Sequence, residues 1–271
     1  MAVKIHPTAI VSPDAALGQN VEIGPYAIIG PEVKIGDNSY IGPHAVLEYA
    51  ELGKGNHIVA SAFIGTMPQD FSYHGEKTRV VIGDNNIIRE GCSIHRGSKA
   101  TALTSVGSGC MLMANSHIGH DCRVGNNVVM VNSSGLSGHC EVGDKVIISG
   151  LSGMHQFVRI GTMAMVAGGC MVGLDLPPYC RCQGDRAKLV GLNVVGMKRN
   201  GISPDSIRAV KNVYKLLFLS GMRLSEAIAK AKAMPISPEA LKFVEFCEHA
   251  RRGVMRPRMK RTASSADEGD E

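Results

Sequence analysis

An aliphatic or small apolar side chain recurs every six residues along most of the chain. From Ile82 to Val172, sixteen consecutive positions at this spacing, Ala100 among them, hold no polar residue. A first tract, from Leu17 to Ile64, keeps the same period apart from one missing residue. Neither a lone helix nor a lone strand has that period. A six-residue period predicts a parallel β-helix, in which each hexad is one short strand with its turn and three hexads close one triangular coil.

Glycine often follows the aliphatic residue of a hexad. We expect these glycines to form the corners of the coils, where a turn uses glycine's freedom at positive φ. The glycines with this spacing include Gly24, Gly30, Gly36, Gly42, Gly107, Gly125 and Gly143.

The chain has eight cysteines, and five of them fall four residues after the aliphatic position of their hexad. One shared slot indicates small, inward-facing core residues, because a free cysteine behaves as a small hydrophobe. Cys180 and Cys182 lie outside the period, and their spacing matches no common zinc pattern. No metal site is therefore predicted. The five cysteines in the slot are Cys92, Cys110, Cys122, Cys140 and Cys170.

The interruptions of the period divide the chain into parts. Residues 1–190 are predicted to form the β-helix, with loops leaving it at 65–81 and 98–105. Helical spacing and Ser-Pro helix starts at Ser203 and Ser237 predict an α-helical domain over 191–256. The Ser/Asp/Glu-rich tail, residues 257–271, is predicted to be disordered.

Composition narrows the class of protein. The net charge is +5, tryptophan is absent and aromatic residues make up 4% of the chain, as expected for a narrow interior filled by aliphatic layers. No apolar stretch is long enough to cross a membrane, and the N-terminus runs into the repeat without a signal-peptide core. We expect a cytoplasmic protein with reduced thiols and without stable membrane insertion.

The repeat predicts which candidate functional residues lie together, because residues eighteen apart lie one above another on successive coils, about 4.8 Å apart. Eighteen residues after His120 comes Gly138, and eighteen later Gln156, with His139 and His155 beside them. Isolated surface histidines are common in solenoids, yet this set forms one polar column on one face. Neutral imidazoles in a column suit a general base near physiological pH, and Asp121 is placed to orient the ring of His120.

Several motifs carry a specific resemblance. The segment Asn115–Cys122, together with Gly138-His139 and His155-Gln156-Phe157, resembles the UDP-N-acetylglucosamine O-acyltransferases of lipid A biosynthesis. The resemblance implies a mainly β chain, a left-handed parallel β-helix followed by a C-terminal α-helical domain, and a homotrimer with active sites between neighbouring prisms. Further motifs that match in order are Gln69-Asp70, Ile94–Gly97, Pro177–Tyr179 and Gly191–Asn193.

The resemblance also implies a reaction, the first step of lipid A biosynthesis. An (R)-3-hydroxyacyl group passes from acyl carrier protein to the 3-hydroxyl of UDP-N-acetylglucosamine, with no cofactor besides the carrier-protein thioester. His120 is the implied general base, Asp121 holds its tautomer, and the Gly138 N–H donates to the oxyanion. No acyl-enzyme forms.

Binding roles follow from the same resemblance. Asp70, His117, His139 and Gln156 are expected at the sugar nucleotide, and His155 at the acyl donor. Asn193 and Arg199 are expected at the uridine diphosphate, where a guanidinium suits phosphate. Gly168 is expected at the end of the acyl groove, where its missing side chain predicts a long chain of around fourteen carbons.

Three positions depart from the family's pattern: Ser72 replaces a usual Lys, Val195 a Glu and Asn200 a second Arg. These changes leave open an acceptor that carries a 3-amino group, which would give an amide.

The basic residues of the helical region are candidates for docking acyl carrier protein, with a solvated helix face as the alternative. Nucleic-acid binding is not expected, because these basic residues lack aromatic stacking partners. The candidates are Lys198, Arg199, Lys211, Lys215, Arg223, Arg251 and Arg252.

Four alternatives to the acyltransferase are open. A γ-class carbonic anhydrase would use His95, His117 and His120 as zinc ligands, but their spacings of 22 and 3 do not match that family. A transferase that N-acylates the next lipid A intermediate carries an extra N-terminal domain, whereas the repeat here begins by Ile5. An acetyl-CoA-dependent transferase and a non-catalytic scaffold complete the alternatives.

Overall fold

The computed structural model describes residues 2–258, which form 28 short strands and four helices. The helices are α1 Val194–Arg199, α2 Pro204–Leu219, α3 Leu224–Lys232 and α4 Pro238–Glu248. The strands, in chain order, are β1 Lys4–Ile5, β2 Ile10–Val11, β3 Ala16–Leu17, β4 Glu22–Ile23, β5 Ile28–Ile29, β6 Lys34–Ile35, β7 Tyr40–Ile41, β8 Val46–Leu47, β9 Ala50–Leu52, β10 His57–Ile58, β11 Phe63–Thr66, β12 Arg79–Ile82, β13 Ile87–Ile88, β14 Ser93–His95, β15 Leu103–Val106, β16 Met111–Leu112, β17 His117–Ile118, β18 Arg123–Val124, β19 Val129–Met130, β20 Gly135–Leu136, β21 Glu141–Val142, β22 Ile147–Ile148, β23 Gly153–Met154, β24 Arg159–Ile160, β25 Met165–Val166, β26 Met171–Val172, β27 Cys180–Gln183 and β28 Lys188–Leu192.

Up to β26, every third strand joins the same sheet, so three sheets form the faces of a triangular prism. Pairing is parallel except between β27 and β28. In regular coils each residue pairs with the one eighteen positions on, as His117 does with Gly135 and Gly135 with Gly153. Sheet I has the order β1-β4-β7-β10-β13-β16-β19-β22-β25-β27-β28, sheet II the order β2-β5-β8-β11-β14-β17-β20-β23-β26, and sheet III the order β3-β6-β9-β12-β15-β18-β21-β24.

The interior holds the aliphatic residues of the hexads and, beside them, the predicted cysteines. Ile118, Leu136 and Ile148 are fully buried, and each such side chain contributes about 1.5–3 kcal/mol relative to exposure. The five in-phase cysteines are buried and unpaired, which confirms that they are core residues.

The glycines that follow the aliphatic residues are needed for a different reason from the one predicted. Gly36 does not have positive φ; a Cβ on it would lie 2.5 Å from the backbone carbon of Gly53 on the next coil. The left-handed conformation falls two residues later, on side-chain-bearing residues such as Asn38 (φ 58°) and Asn127 (φ 55°). Close approach between coils therefore selects glycine at these positions.

The first excursion loop is shorter than predicted, and the second, between His95 and Leu103, begins and ends earlier in the chain than predicted. Strand β11 extends to Thr66 and β12 begins at Arg79, so the first loop spans residues 67–78; β15 begins at Leu103, so the second ends at residue 102. The second loop also corrects the repeat, because Ala100 is exposed and belongs to no strand. Ala100 stays in phase only because the aliphatic positions of β14 and β15, Ile94 and Val106, are two hexads apart.

After the last coil, β27 and β28 form a hairpin and the helices follow. Ser203 and Ser237 cap α2 and α4 as predicted, their side chains accepting from the N–H groups of Ser206 and Ala240. Helix α1, capped by Asn193, was not predicted. Pro257, placed in the predicted tail, forms a β-bridge with Leu189; the disorder predicted for residues 259–271 lies outside the described residues. Among residues 2–258, no helix is long and apolar enough to span a membrane.

Candidate active site

The histidine column lies where sheet II turns into sheet III on three successive coils. The corner after β17 carries His120 and Asp121, the corner after β20 carries Gly138 and His139, and the corner after β23 carries Phe157. The rings of His120 and His139 meet edge to face with centroids 5.0 Å apart, and His139 stacks on Phe157 at 4.6 Å. The eighteen-residue spacing of the coils therefore places these side chains together, as predicted.

His120 and Asp121 form a buried hydrogen-bonded pair. His120 Nδ1 lies 2.8 Å from Asp121 Oδ2, and the two residues are 5% and 3% exposed. Because an ionised carboxylate only accepts, Nδ1 carries the proton and donates it to this bond. In the neutral ring the second nitrogen, Nε2, then carries no proton and is able to act as a base.

The second excursion loop holds the carboxylate of Asp121. Oδ2 accepts from the Ser98 N–H at 3.0 Å, and Oδ1 accepts from the Thr101 N–H at 3.1 Å and from the Thr101 hydroxyl. Burial alone would raise the pKa of Asp121, but these bonds, with that from His120, lower it to about 2. Asp121 is thus ionised and fixed in orientation. Sequence reasoning missed Ser98 and Thr101, which belong to no repeat.

Gly138 lies against the free nitrogen of the His120 ring. A Cβ built on Gly138 would come within 2.5 Å of both Nε2 and Cε1 of His120. Within residues 2–258 the Gly138 N–H has no hydrogen-bond acceptor. A base and a free backbone donor therefore sit side by side, the arrangement that acyl transfer needs.

Burial favours the neutral form of three other imidazoles near the pair. Burial lowers the pKa of His117, whose Nδ1 lies 2.8 Å from Ser93 Oγ, and burial also lowers the pKa of His139. Burial lowers the pKa of His95 to about 4, and its ring meets His117 edge to face at 4.8 Å. Neutral rings can both donate and accept hydrogen bonds to a polar ligand.

A groove of about 770 Å³ begins at His120 and runs along sheet II towards the β27–β28 hairpin. Its lining includes His117, Gly138 and Gln156, which the sequence predicted, and Gly135 and Gly153, which it did not. These two glycines occupy the outward strand position, so no side chain fills the face of the sheet there. The only sequence signal for this groove was a pair of outward-facing strand positions without side chains.

Asp70 reaches the site from the first excursion loop. Its carboxylate accepts from the Ser72 N–H and from the Ser72 hydroxyl, both at 2.9 Å, and these bonds lower the pKa of Asp70. Asp70 lies near His120 and His139, and its negative charge partly offsets the lowering of the His139 pKa by burial. The neighbouring Gln69 lines the groove.

Comparison with known proteins gives the family. A profile described as UDP N-acetylglucosamine O-acyltransferase, domain 2, matches residues 175–255, and the bacterial transferase hexapeptide profile matches 14–49 and 104–138. Acyl-[acyl-carrier-protein]–UDP-N-acetylglucosamine O-acyltransferases of Anaeromyxobacter sp. (strain Fw109-5) and Myxococcus xanthus (strain DK1622) are 46% and 47% identical, each over 93% of this chain and 99% of its own. The chain belongs to the UDP-N-acetylglucosamine O-acyltransferase family. The resemblance seen in the sequence motifs is thereby confirmed.

Solved structures of the family agree in fold. The UDP-N-acetylglucosamine acyltransferase of Francisella novicida superposes with a TM-score of 0.91 at 36% identity, over 98% of this chain and 100% of its own. LpxA from Acinetobacter baumannii gives 0.91 at 41% identity, over 93% and 99%. The predicted left-handed β-helix with a C-terminal helical region is confirmed, as is an acyltransferase rather than a carbonic anhydrase or an inert scaffold.

Three predicted site residues lie away from the groove of their own chain. Asn193 is buried at the corner between sheets III and I, where its Oδ1 accepts from the Gly196 N–H at 3.0 Å and its Nδ2 donates to Met163 O at 2.9 Å. Arg199 is exposed at the end of α1, and Gly168 is exposed at the corner between sheets I and II. A single chain therefore does not bring these three to His120.

The hydrogen-bond donors around Asp121 are those expected for a proton-transfer pair. Ligand atoms of His120, Asp121 and His139 lie within 4.8 Å of one another, a spacing that a metal ion would accept. Asp121, however, already accepts hydrogen bonds from Ser98, Thr101 and His120, so its lone pairs are occupied.

Proposed function

We propose that this protein transfers an (R)-3-hydroxyacyl group from acyl carrier protein to the 3-hydroxyl of UDP-N-acetylglucosamine, the first step of lipid A biosynthesis. The observation that carries the proposal is the buried His120–Asp121 pair, whose free Nε2 adjoins the unbonded Gly138 N–H at the head of a groove. The relatives at 46–47% identity carry this activity in their names.

In the proposed mechanism, His120 Nε2 removes the proton of the sugar 3-hydroxyl as its oxygen attacks the thioester carbonyl. The carbonyl oxygen becomes an oxyanion, to which the Gly138 N–H donates. Collapse breaks the carbon–sulfur bond, and the imidazolium returns its proton to the carrier-protein thiolate, giving ester and free thiol. A positioned base contributes about 10²–10⁴-fold, and one oxyanion donor about 3 kcal/mol.

Asp121 stabilises the imidazolium that forms on His120. Its lowered pKa keeps it ionised throughout, so the carboxylate orients the ring and does not take up the proton. The transfer is direct, and it needs no acyl-enzyme and no cofactor besides the thioester.

We assign the sugar nucleotide to Asp70, His117, His139 and Gln156, and the acyl donor to His155. Asp70 is ionised and suited to accept from sugar hydroxyls, while the neutral His117 offers the ring nitrogen that Ser93 leaves free. His155 and Gln156 line the groove two coils below His117.

We propose a homotrimer, supported by the distribution of outward-facing side chains. The outward side chains are apolar on the middle and later strands of sheet I and on the first strands of sheet II, and mostly charged on sheet III. A three-fold ring needs two different patches on each chain, since one face of each prism meets another face of the next. The residues of these three stretches are Ile87, Met111, Val129, Ile147 and Met165 on sheet I; Ile10, Ile28, Val46 and Phe63 on sheet II; and Lys34, Glu51, Arg123, Glu141 and Arg159 on sheet III.

The trimer also accounts for the residues that do not reach His120 in one chain. We assign Asn193 and Arg199 to the uridine diphosphate bound in the cleft with a neighbouring prism, and Gly168 to the end of the acyl groove. A Cβ on Gly168 would have only Gly150 O within 4 Å, at 3.6 Å, so the space is open to a long chain of around fourteen carbons. We expect Gly168→Met to shorten the preferred acyl chain, and an unchanged preference would contradict this assignment.

An acceptor with a 3-amino group remains the second candidate. Ser72 supplies no cation, and its hydroxyl donates to Asp70. Val195 is exposed. Asn200 caps the C-terminus of α1, with its Nδ2 donating to Gly196 O at 2.9 Å. None of these side chains offers the charge that the family has at its position.

Docking of acyl carrier protein is assigned to the helical region. Lys211 and Lys215 are exposed on α2, whereas Arg251 is paired with Glu141 and Arg252 donates to Gly173 O. The two lysines are therefore freer to bind a partner than these two arginines. Charge reversal at both lysines is expected to raise the KM for the carrier protein. A cytoplasmic location fits the eight buried, unpaired cysteines, which persist in a reducing compartment.

The test is transfer by the purified protein from (R)-3-hydroxyacyl carrier protein to UDP-N-acetylglucosamine and, separately, to its 3-amino analogue. Product mass and alkali lability distinguish an ester from an amide. Ester formation is the expected result; amide formation alone would support the second candidate, and turnover with neither acceptor would refute both.

A further inference from the structure

The first excursion loop, residues 67–78, carries Asp70. Pro68 and Thr78 are buried at its two ends and Lys77 pairs with Glu32, but its middle, residues 69–75, is mostly exposed. Phe71, beside Asp70, is fully exposed, and Met67 is 62% exposed. A loop with so few apolar contacts does not hold one conformation unless polar contacts fix it. Its attachment to the prism therefore decides where Asp70 lies.

One buried guanidinium provides that attachment. Arg96, 9% exposed, donates from Nη1 to Gly65 O at 2.7 Å and to Glu48 Oε1 at 3.2 Å. Its Nε and Nη2 donate to the Tyr73 hydroxyl at 3.3 and 3.1 Å. The guanidinium also lies over the rings of Tyr49 and Tyr73, with centroids 4.6 and 5.5 Å away. Arg96 thus binds both the base of the loop, at Gly65, and its middle, at Tyr73.

Tyr73 passes this constraint to Asp70. The Tyr73 N–H donates to Asp70 O at 3.1 Å, and the Tyr73 hydroxyl donates to Glu76 O at 3.0 Å. Ser72, between them, donates twice to the Asp70 carboxylate. A tight turn centred on Ser72 therefore connects Tyr73 to the carboxylate of Asp70, which lies near His120.

We propose that Arg96 and Tyr73 are positioning residues for the sugar-nucleotide site: their contact fixes the first excursion loop so that Asp70 meets the acceptor. The proposal rests on the proposed function of Asp70. It concerns acceptor binding and not proton transfer, because neither residue touches the His120–Asp121 pair.

The sharpest variant is Tyr73→Phe, which keeps the ring beneath the guanidinium and removes only the hydroxyl. We expect the KM for UDP-N-acetylglucosamine to rise about tenfold, the effect of losing a charge-assisted hydrogen bond, with kcat and the KM for the acyl donor within twofold of wild type. Arg96→Lys keeps a cation for Glu48 but loses the fork, and it should give the same pattern. Tyr26→Phe, on an exposed tyrosine of the first coils, is the matched control and should match wild type.

Two further readouts separate positioning from a general loss of structure. In an Asp70→Asn background, Tyr73→Phe should raise the KM no further, because the carboxylate that it positions is already gone. Hydrogen exchange of residues 67–78 should speed up in Tyr73→Phe, while the coils exchange as in wild type.

Each failure has its own meaning. An unchanged KM in Tyr73→Phe, equal losses for both substrates, or an additive effect with Asp70→Asn would overturn the positioning role. If Asp70→Asn alone leaves acceptor binding intact, the assigned role of Asp70 fails, while faster exchange of the loop in Tyr73→Phe would still establish the attachment. Absence of transfer in the wild-type protein would refute the proposed function instead.

Discussion

Replacing Gly138 with alanine tests the geometry of the catalytic corner with a single methyl group. The new Cβ would lie 2.5 Å from Nε2 and Cε1 of His120, whereas an ordinary contact begins near 3.4 Å, so the ring must retreat by about 0.9 Å (3.4 − 2.5). Gly138 does not have positive φ, so alanine fits its backbone and the fold should persist. A displacement of about 1 Å at a reacting group costs about 10²-fold, and a shifted oxyanion donor adds to that loss.

The assay is kcat for ester formation at saturating donor and acceptor, with the thermal midpoint of unfolding measured alongside. We expect Gly138→Ala to lower kcat by about 10²–10³-fold with little change in the thermal midpoint. Gly30→Ala, at the same edge of the prism in the first coils, is the control: the nearest atom to its Cβ would be Glu48 Cβ at 3.1 Å, and its kcat should stay close to wild type. Wild-type kcat in Gly138→Ala would refute the proposed contact between Gly138 and the base.

Three further predictions concern the surroundings of the site. Thr101→Val removes the hydroxyl that binds Asp121 and should lower stability by about 1–2 kcal/mol and also lower kcat, whereas Thr101→Ser should restore both; equal behaviour of the two variants would contradict this. Burial lowers the pKa of His95 from 6.5 to about 4, so the unfolded chain takes up the proton first and stability falls by roughly 3 kcal/mol as pH drops from 6.5 towards 4; His95→Gln should flatten that slope in urea titrations, and an unchanged slope would count against it. The fully buried carboxylate of Asp175 accepts from the backbone N–H groups of Arg159 and Arg251, so Asp175→Ala should cost about 2–5 kcal/mol by leaving both donors unpaired, and a loss below 1 kcal/mol would refute that role.

The repeat made the column predictable from the sequence, because equal coils turn spacing into position. His120, Gly138 and Gln156 are eighteen residues apart, and no insertion separates them, so counting was enough to place them on one edge. Counting failed at Ala100, because an inserted loop of hexad length leaves the phase intact and cannot be recognised from the period.

Other features of the site depend on contacts that no period records. Ser98 and Thr101 reach Asp121 from a loop outside the repeat, and Arg96 fixes Tyr73 across 23 residues. The close approach of coils that selects glycine, as at Gly36, appears only once neighbouring coils are stacked.

The central claim is that His120, and not the adjoining His139, removes the acceptor proton. The most direct measurement compares kcat for ester formation, at saturating substrates, in His120→Gln and His139→Gln. The account predicts a loss of at least about 10²-fold in kcat for His120→Gln, while His139→Gln mainly raises the KM for the sugar nucleotide. If His120→Gln keeps kcat within tenfold of wild type, or if His139→Gln loses as much, His120 is not the base.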